Sequence, residues 1–233
     1  MTDLVPGTVP GTSTELSEFG VLVFHRTAGF RHDSIPAGVA ALTEMGSEGR
    51  FTVTATEDPA VFTDDALAAF RVIVFLSTTG DILLPEQEQA MERFIRAGGG
   101  FVGVHAAADT EYDWVWYGGL VGAYFQSHPA PQPGRVEVLP GEHPITAGAP
   151  EEFVVQEEWY DFQSLPADSV TVLATVDELS YTGGTMGYVH PIVWAHEYDG
   201  GRAAYLAFGH DSAAFSEPPV RLMLGQAITW AAA

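Results

Sequence analysis

The sequence predicts a doubly wound α/β fold, a mostly parallel sheet flanked by helices, with antiparallel strands added in the C-terminal half. Three observations lead there. Short continuous apolar runs, such as Val21-Leu22-Val23-Phe24 and Val72-Ile73-Val74-Phe75-Leu76, read as strands buried on both faces. Helical patterns alternate with these strands at spacings of roughly thirty residues, which implies parallel pairing through right-handed crossovers. Beyond residue 135 strand-like stretches follow one another directly, and Asp199-Gly200-Gly201 joins two of them as a hairpin turn would.

Taken in order, residues 19–25 form the first strand, which ends on His25. After a polar loop Ser34 stands where a helix cap is wanted. Pro36 fits the first turn, and Ile35, Val39, Leu42 and Met45 supply an apolar stripe that Gly46 stops. Residues 51–56 and 72–76 read as strands, with a short capped helix over 63–70 between them. Residues 85–97 form a clearer helix, in which Met91, Phe94 and Ile95 share a face and Glu92 and Arg96 pair four apart; Gly98 to Gly100 end it. Strands follow at 101–104, 135–139, 153–156, 170–176, 192–198 and 202–208, and a helix over 219–230 closes one domain spanning 19–233. Residues 1–18, rich in Pro, Gly, Thr and Ser, read as a disordered tail.

Composition narrows the chemistry. Nine Arg and no Lys against 31 Asp and Glu give a formal charge of −22, which opposes binding to nucleic acid or anionic lipid. No signal peptide and no run long enough to span a membrane occurs, so a cytoplasmic location is the expectation. Cys, Lys and Asn are absent. Thiolate nucleophiles, disulfides, Schiff bases and phosphate-binding lysines are thereby excluded. Histidine, carboxylate, hydroxyl or metal-bound water remains, and the chain carries eight His. Aromatic content and size suggest a homodimer.

In an open parallel sheet, ligands bind beyond the carboxyl ends of the strands. His25, Ser77-Thr78-Thr79, His105 and His210-Asp211 each follow a different strand and so converge on one edge. His25 and His32 flank the loop after the first strand as candidate substrate or metal contacts. The segment 109–119 places Asp109, Tyr112 and Trp114 directly after His105. Its carboxylates and aromatics suit a sugar ring, although an amphipathic helix burying the aromatics reads equally well. Glu157-Glu158-Trp159-Tyr160-Asp161 repeats the mixture, and one of its glutamates is a candidate base. His128 and His143, each followed by Pro, read as loop residues, with His128 just past the aromatic cluster; His196 falls on a hairpin face. No sequence motif marks a zinc site, a serine nucleophile or a dinucleotide fold. A divalent metal such as zinc, gathered from dispersed His and carboxylates, stays open.

Several stretches together resemble the ThuA-like, or trehalose utilization, family: residues 27–35 (TAGFRHDSI), 101–110 (FVGVHAAADT), 116–120 (WYGGL), 177–181 (DELSY), 187–194 (GYVHPIVW, which contains His190) and 208–211 (FGHD). That family resembles the class I glutamine amidotransferase fold, where a cysteine occupies a tight turn after a strand and a histidine follows a later one. By this resemblance the nucleophile's place falls on His105, and the partner histidine and acid fall on His210 and Asp211. Without a thiol the amidotransferase reaction is lost while the fold is kept.

The resemblance implies action on a disaccharide or 3-keto glycoside through acid–base chemistry: elimination, isomerisation or cleavage. His105, His210, Asp109 and Glu158 are then the catalytic candidates. His25, His32, Thr78, Tyr112, Trp114, His128, Tyr160, His190 and Asp211 are candidate sugar contacts. A non-catalytic sugar-binding accessory and a metal-assisted hydrolase are the alternatives.

Overall fold

The computed structural model describes residues 18–233, so the expected tail, apart from Glu18, lies outside the described residues. Five parallel strands form the first half of a nine-stranded sheet: β1 (Phe19–Phe24), β2 (Phe51–Thr56), β3 (Val72–Leu76), β4 (Gly100–Val104) and β11 (Gly201–Leu206). Antiparallel strands continue it: β6 (Gln132–Val138), β7 (Glu152–Glu157), β9 (Thr171–Asp177) and β10 (Pro191–Tyr198). The full order is β2-β1-β3-β4-β11-β10-β9-β6-β7. A separate two-stranded ribbon pairs β5 (Phe125–Ser127) with β8 (Asp161–Phe162). At three and two residues, these strands are too short to give an alternating pattern that sequence reading could find.

Every residue of β3 and β4 is buried, as uninterrupted apolar runs require when helices cover both sides. Neighbouring residues on β3 show the two layers. Leu76 meets Gly38 of α1 (Ile35–Met45), while Phe75 stacks on Tyr117 of α4 (Val115–Val121) with ring centroids 5.7 Å apart. Successive strand residues point to opposite faces, so α1 and α4 lie on opposite sides of the sheet. The long C-terminal helix α5 (Pro218–Ala231) packs beside α1, and α2 (Asp64–Leu67) packs beside α3 (Pro85–Arg96).

Three local expectations are corrected. Ser34 does not cap α1; its hydroxyl donates to the Gly209 carbonyl and ties the loop after β1 to the loop after β11. Gly46 does not end the helical path, which continues as a single wide turn over Gly46–Arg50. The helix expected over 63–70 is regular only at Asp64–Leu67, capped by Thr63, whose hydroxyl accepts from the Ala66 amide at 3.3 Å.

Candidate functional site

The site lies past the carboxyl ends of β1, β4, β7 and β11. There His32, His105, Glu158 and His210 each present one ligand atom, all within 4.8 Å of one another. His105 comes first after β4 and has φ +50°, a left-handed conformation that costs a non-glycine residue energy and needs external support. Two tyrosines supply that support: Tyr205 donates to the His105 carbonyl at 2.7 Å, and Tyr117 to that of Ala107 at 2.6 Å. The His105 ring is oriented by Nδ1, which lies 3.1 Å from the Ala207 carbonyl on the edge of β11. Donation there leaves Nε2 facing the cluster, 3.1 Å from His32 Nε2 and 3.5 Å from Glu158 Oε2.

His210 Nδ1 lies 3.1 Å from the same Oε2, and His128 Nδ1 lies 3.0 Å from Oε1. Exposure increases outward, from a fully buried His105 through a half-buried His210 to an exposed His128 at the rim. Burial drives the His105 imidazole down to about 4, so it is neutral at physiological pH. Burial pushes the Glu158 carboxyl up, but the imidazoles of His105, His210 and His32 outweigh it and hold Glu158 ionised far below the usual carboxylate range. Contact with Glu158 raises His210 against a smaller effect of burial.

Glu157 is the residue sequence reasoning undervalued. It is fully buried, and its carboxyl accepts from the amides of Gly209 (2.7 Å), His210 (3.2 Å) and Glu158 (3.2 Å), so it fixes the loop that carries His210. Burial moves it up to about 8 against those amide contacts. The adjacent glutamates look alike in sequence; at the end of β7 one turns into the protein beneath the loop and the other into the cluster.

Tyr160 lies over His105 with ring centroids 4.5 Å apart, and Phe125 and His128 flank it. Asp109 accepts from the Tyr112 hydroxyl at 2.6 Å; burial raises its carboxyl, while the charges of His32 and His128 pull it down. Other expected contacts lie elsewhere. His25 turns to Glu57 (3.2 Å) beside Arg31. Thr78 is buried against Thr110, with hydroxyls 2.9 Å apart. The Trp114 indole donates to Glu92 and stacks on Trp116 and Tyr117. Asp211 caps the short turn Ser212–Ser216 by accepting from the Ala213 amide.

His190 belongs to a second group with Asp161 and Glu178. Its Nε2 donates to the Tyr160 carbonyl at 2.8 Å, so it supports the backbone of a site residue from behind. Among the described residues no helix is long and apolar enough to cross a membrane.

This arrangement defines a class: an α/β fold with a mostly parallel core and antiparallel additions, in which an imidazole stands at a strained turn directly after a central strand. The fold is shared with a protein of Thermoplasma acidophilum described as a GMP synthase component, at 13% identity and TM-score 0.56 over 91% of this chain and 93% of that one. The sequence matches the ThuA family, described as trehalose utilisation, over residues 20–231, and the chain belongs to that family. A ThuA-like protein of Bacteroides uniformis ATCC 8492 is 25% identical with TM-score 0.78, covering 96% of this chain and 95% of that one. A ThuA-like protein of Parabacteroides merdae ATCC 43184 is 19% identical with TM-score 0.79, covering 92% and 90%. No curated protein matches the sequence.

Proposed function

We propose that this protein transforms a sugar derivative bearing a carbonyl group, of the 3-keto glycoside kind, at the cluster formed by His105, His210 and Glu158. The observation that carries the reading is the convergence of three imidazoles and a carboxylate from four separate chain segments on a tyrosine-covered floor. The family's description, trehalose utilisation, supplies the substrate class.

A keto group acidifies the hydrogens on the carbons beside it. With the keto oxygen seated beside His210, whose protonated form the contact with Glu158 favours, the imidazolium stabilises charge developing on that oxygen. Asp109, whose carboxyl burial raises, takes the proton from the carbon between the keto group and the glycosidic carbon. The electron pair released forms a double bond to the glycosidic carbon and expels the glycosidic oxygen, which takes a proton from water. Tyr112 and the half-buried Phe125 offer aromatic surface for the sugar ring, while Tyr160 is buried against His105 and backs the site.

The test is to incubate the purified chain with 3-keto glucosides and 3-keto trehalose, following products by NMR and binding by calorimetry. Turnover that falls by two or more orders of magnitude in Asp109→Asn supports the reading. Absence of both binding and turnover across the series sinks it, and saturable binding without turnover replaces it with a sugar-binding accessory role.

A further inference from the structure

Two groups of three or more metal-capable side chains occur among the described residues, and their hydrogen bonding separates them. In the second group Glu178 accepts from the amides of Met186 and Gly187, Asp161 accepts from the Thr185 amide, and His190 bridges Tyr181 and the Tyr160 carbonyl. Those polar atoms already serve the backbone, and the group is a structural brace.

The first group is built differently. Three ring nitrogens surround a single carboxylate oxygen, Glu158 Oε2, at 3.1 Å (His210 Nδ1), 3.5 Å (His105 Nε2) and 3.8 Å (His32 Nε2). With Nδ1 donating to the Ala207 carbonyl, His105 Nε2 turns a bare lone pair toward that oxygen, so no proton joins the two. His210 Nδ1 is buried and makes no hydrogen bond, although the carboxylate is within reach. The group is thus poorly explained as a hydrogen-bond network.

Its spacing does suit an ion. Bonds of about 2.0–2.1 Å put the corners of a tetrahedron about 3.3–3.4 Å apart. Four of the six distances among these atoms, 3.1, 3.1, 3.5 and 3.8 Å, bracket that value, and all six lie within 4.8 Å. The second layer fits as well, since the Ala207 carbonyl holds His105 with Nε2 inward and Glu157 grips the His210 loop.

We propose that His32, His105, His210 and Glu158 bind one divalent transition-metal ion, zinc or a close analogue. Three imidazoles and one carboxylate suit such ions, whereas calcium and magnesium want oxygen ligands throughout. Four protein ligands fill a tetrahedral ion, so it would supply Lewis acidity to the sugar carbonyl only by expanding to a fifth ligand. The metal site stands on its own geometry and does not depend on the sugar reading.

The experiment uses the full chain, stripped with a chelator and dialysed, then titrated with Co2+ and Zn2+. Heat of binding gives stoichiometry, and the visible spectrum of bound Co2+ reports coordination. Expected are one ion per chain, a tetrahedral-type Co2+ spectrum, and affinity lowered at least tenfold in both His32→Ala and His210→Ala but unchanged in the remote His143→Gln. No saturable uptake by the unmodified chain overturns the proposal. Uptake unaffected by both alanine variants also overturns it, because the ion then sits elsewhere. Metal binding without turnover of keto sugars would reject only the sugar reading; turnover without metal binding would reject only the metal site.

Discussion

Replacing Glu157 by Gln tests whether this buried carboxyl organises the site. Three backbone amides donate to its two oxygens: Gly209 to Oε1, and His210 and Glu158 to Oε2. Glutamine is nearly isosteric but keeps only one acceptor oxygen. If the oxygen stays with the His210 and Glu158 amides, its NH2 faces the Gly209 N–H across 2.7 Å; in the reverse orientation two amides lose their acceptor. Either way at least one buried N–H is left unpaired against another donor, which costs about 1–3 kcal/mol. A loss of about 1–3 kcal/mol is therefore expected in urea unfolding with an unchanged slope. Since Glu157 acts on the His210 loop, metal affinity should also fall by about 10–100-fold, as for other outer-shell partners. Unfolding midpoints and metal affinity both indistinguishable from the parent would refute the reasoning.

Gly209→Ala should destabilise by about 1–3 kcal/mol in the same assay, because φ is +128° there and a methyl would lie 3.1 Å from Phe215 and 3.5 Å from the His105 Cβ. Tyr205→Phe removes the donor that holds the His105 carbonyl and should cost about 1–2 kcal/mol, read from thermal unfolding; no change would mean that the strained turn supports itself. His196 is buried, with Nε2 3.2 Å from the Gly119 carbonyl and Nδ1 unpartnered, and burial lowers its pKa below 6.5. The folded state thus favours the neutral ring, so its contribution is fully present above pH 6.5 and is lost as pH falls below that value toward the folded pKa. The stability gap between the parent and His196→Gln should narrow on acidification from pH 7.5 to pH 5.5; a widening gap would contradict this sign.

Much of the fold was legible because buried parallel strands have a one-dimensional signature. Val72 to Leu76 contains no polar residue, and helices on both faces leave it no alternative. The antiparallel half was readable from its succession of strands and the turn at Asp199-Gly200. The ribbon of β5 and β8 was not, being too short for periodicity to register.

For the site, the sequence by itself determined the inventory: no thiol, no lysine amine, eight imidazoles, and a histidine or hydroxyl after each of several strands. It also placed His105 and His210, because residues that directly follow adjacent parallel strands must emerge on the same edge. Only the tertiary structure decided which other groups join them. His25 follows a strand as closely as His105 does, yet it turns to Glu57, while His32 folds back into the cluster from within the loop. Glu157 and Glu158 are adjacent and identical, and opposite side-chain directions make one a buried clasp on backbone amides and the other the partner of three imidazoles. Strand register fixes where a side chain starts, but loop path and side-chain direction fix where it ends, and those depend on long-range contacts such as Ser34 with Gly209 that no local pattern encodes.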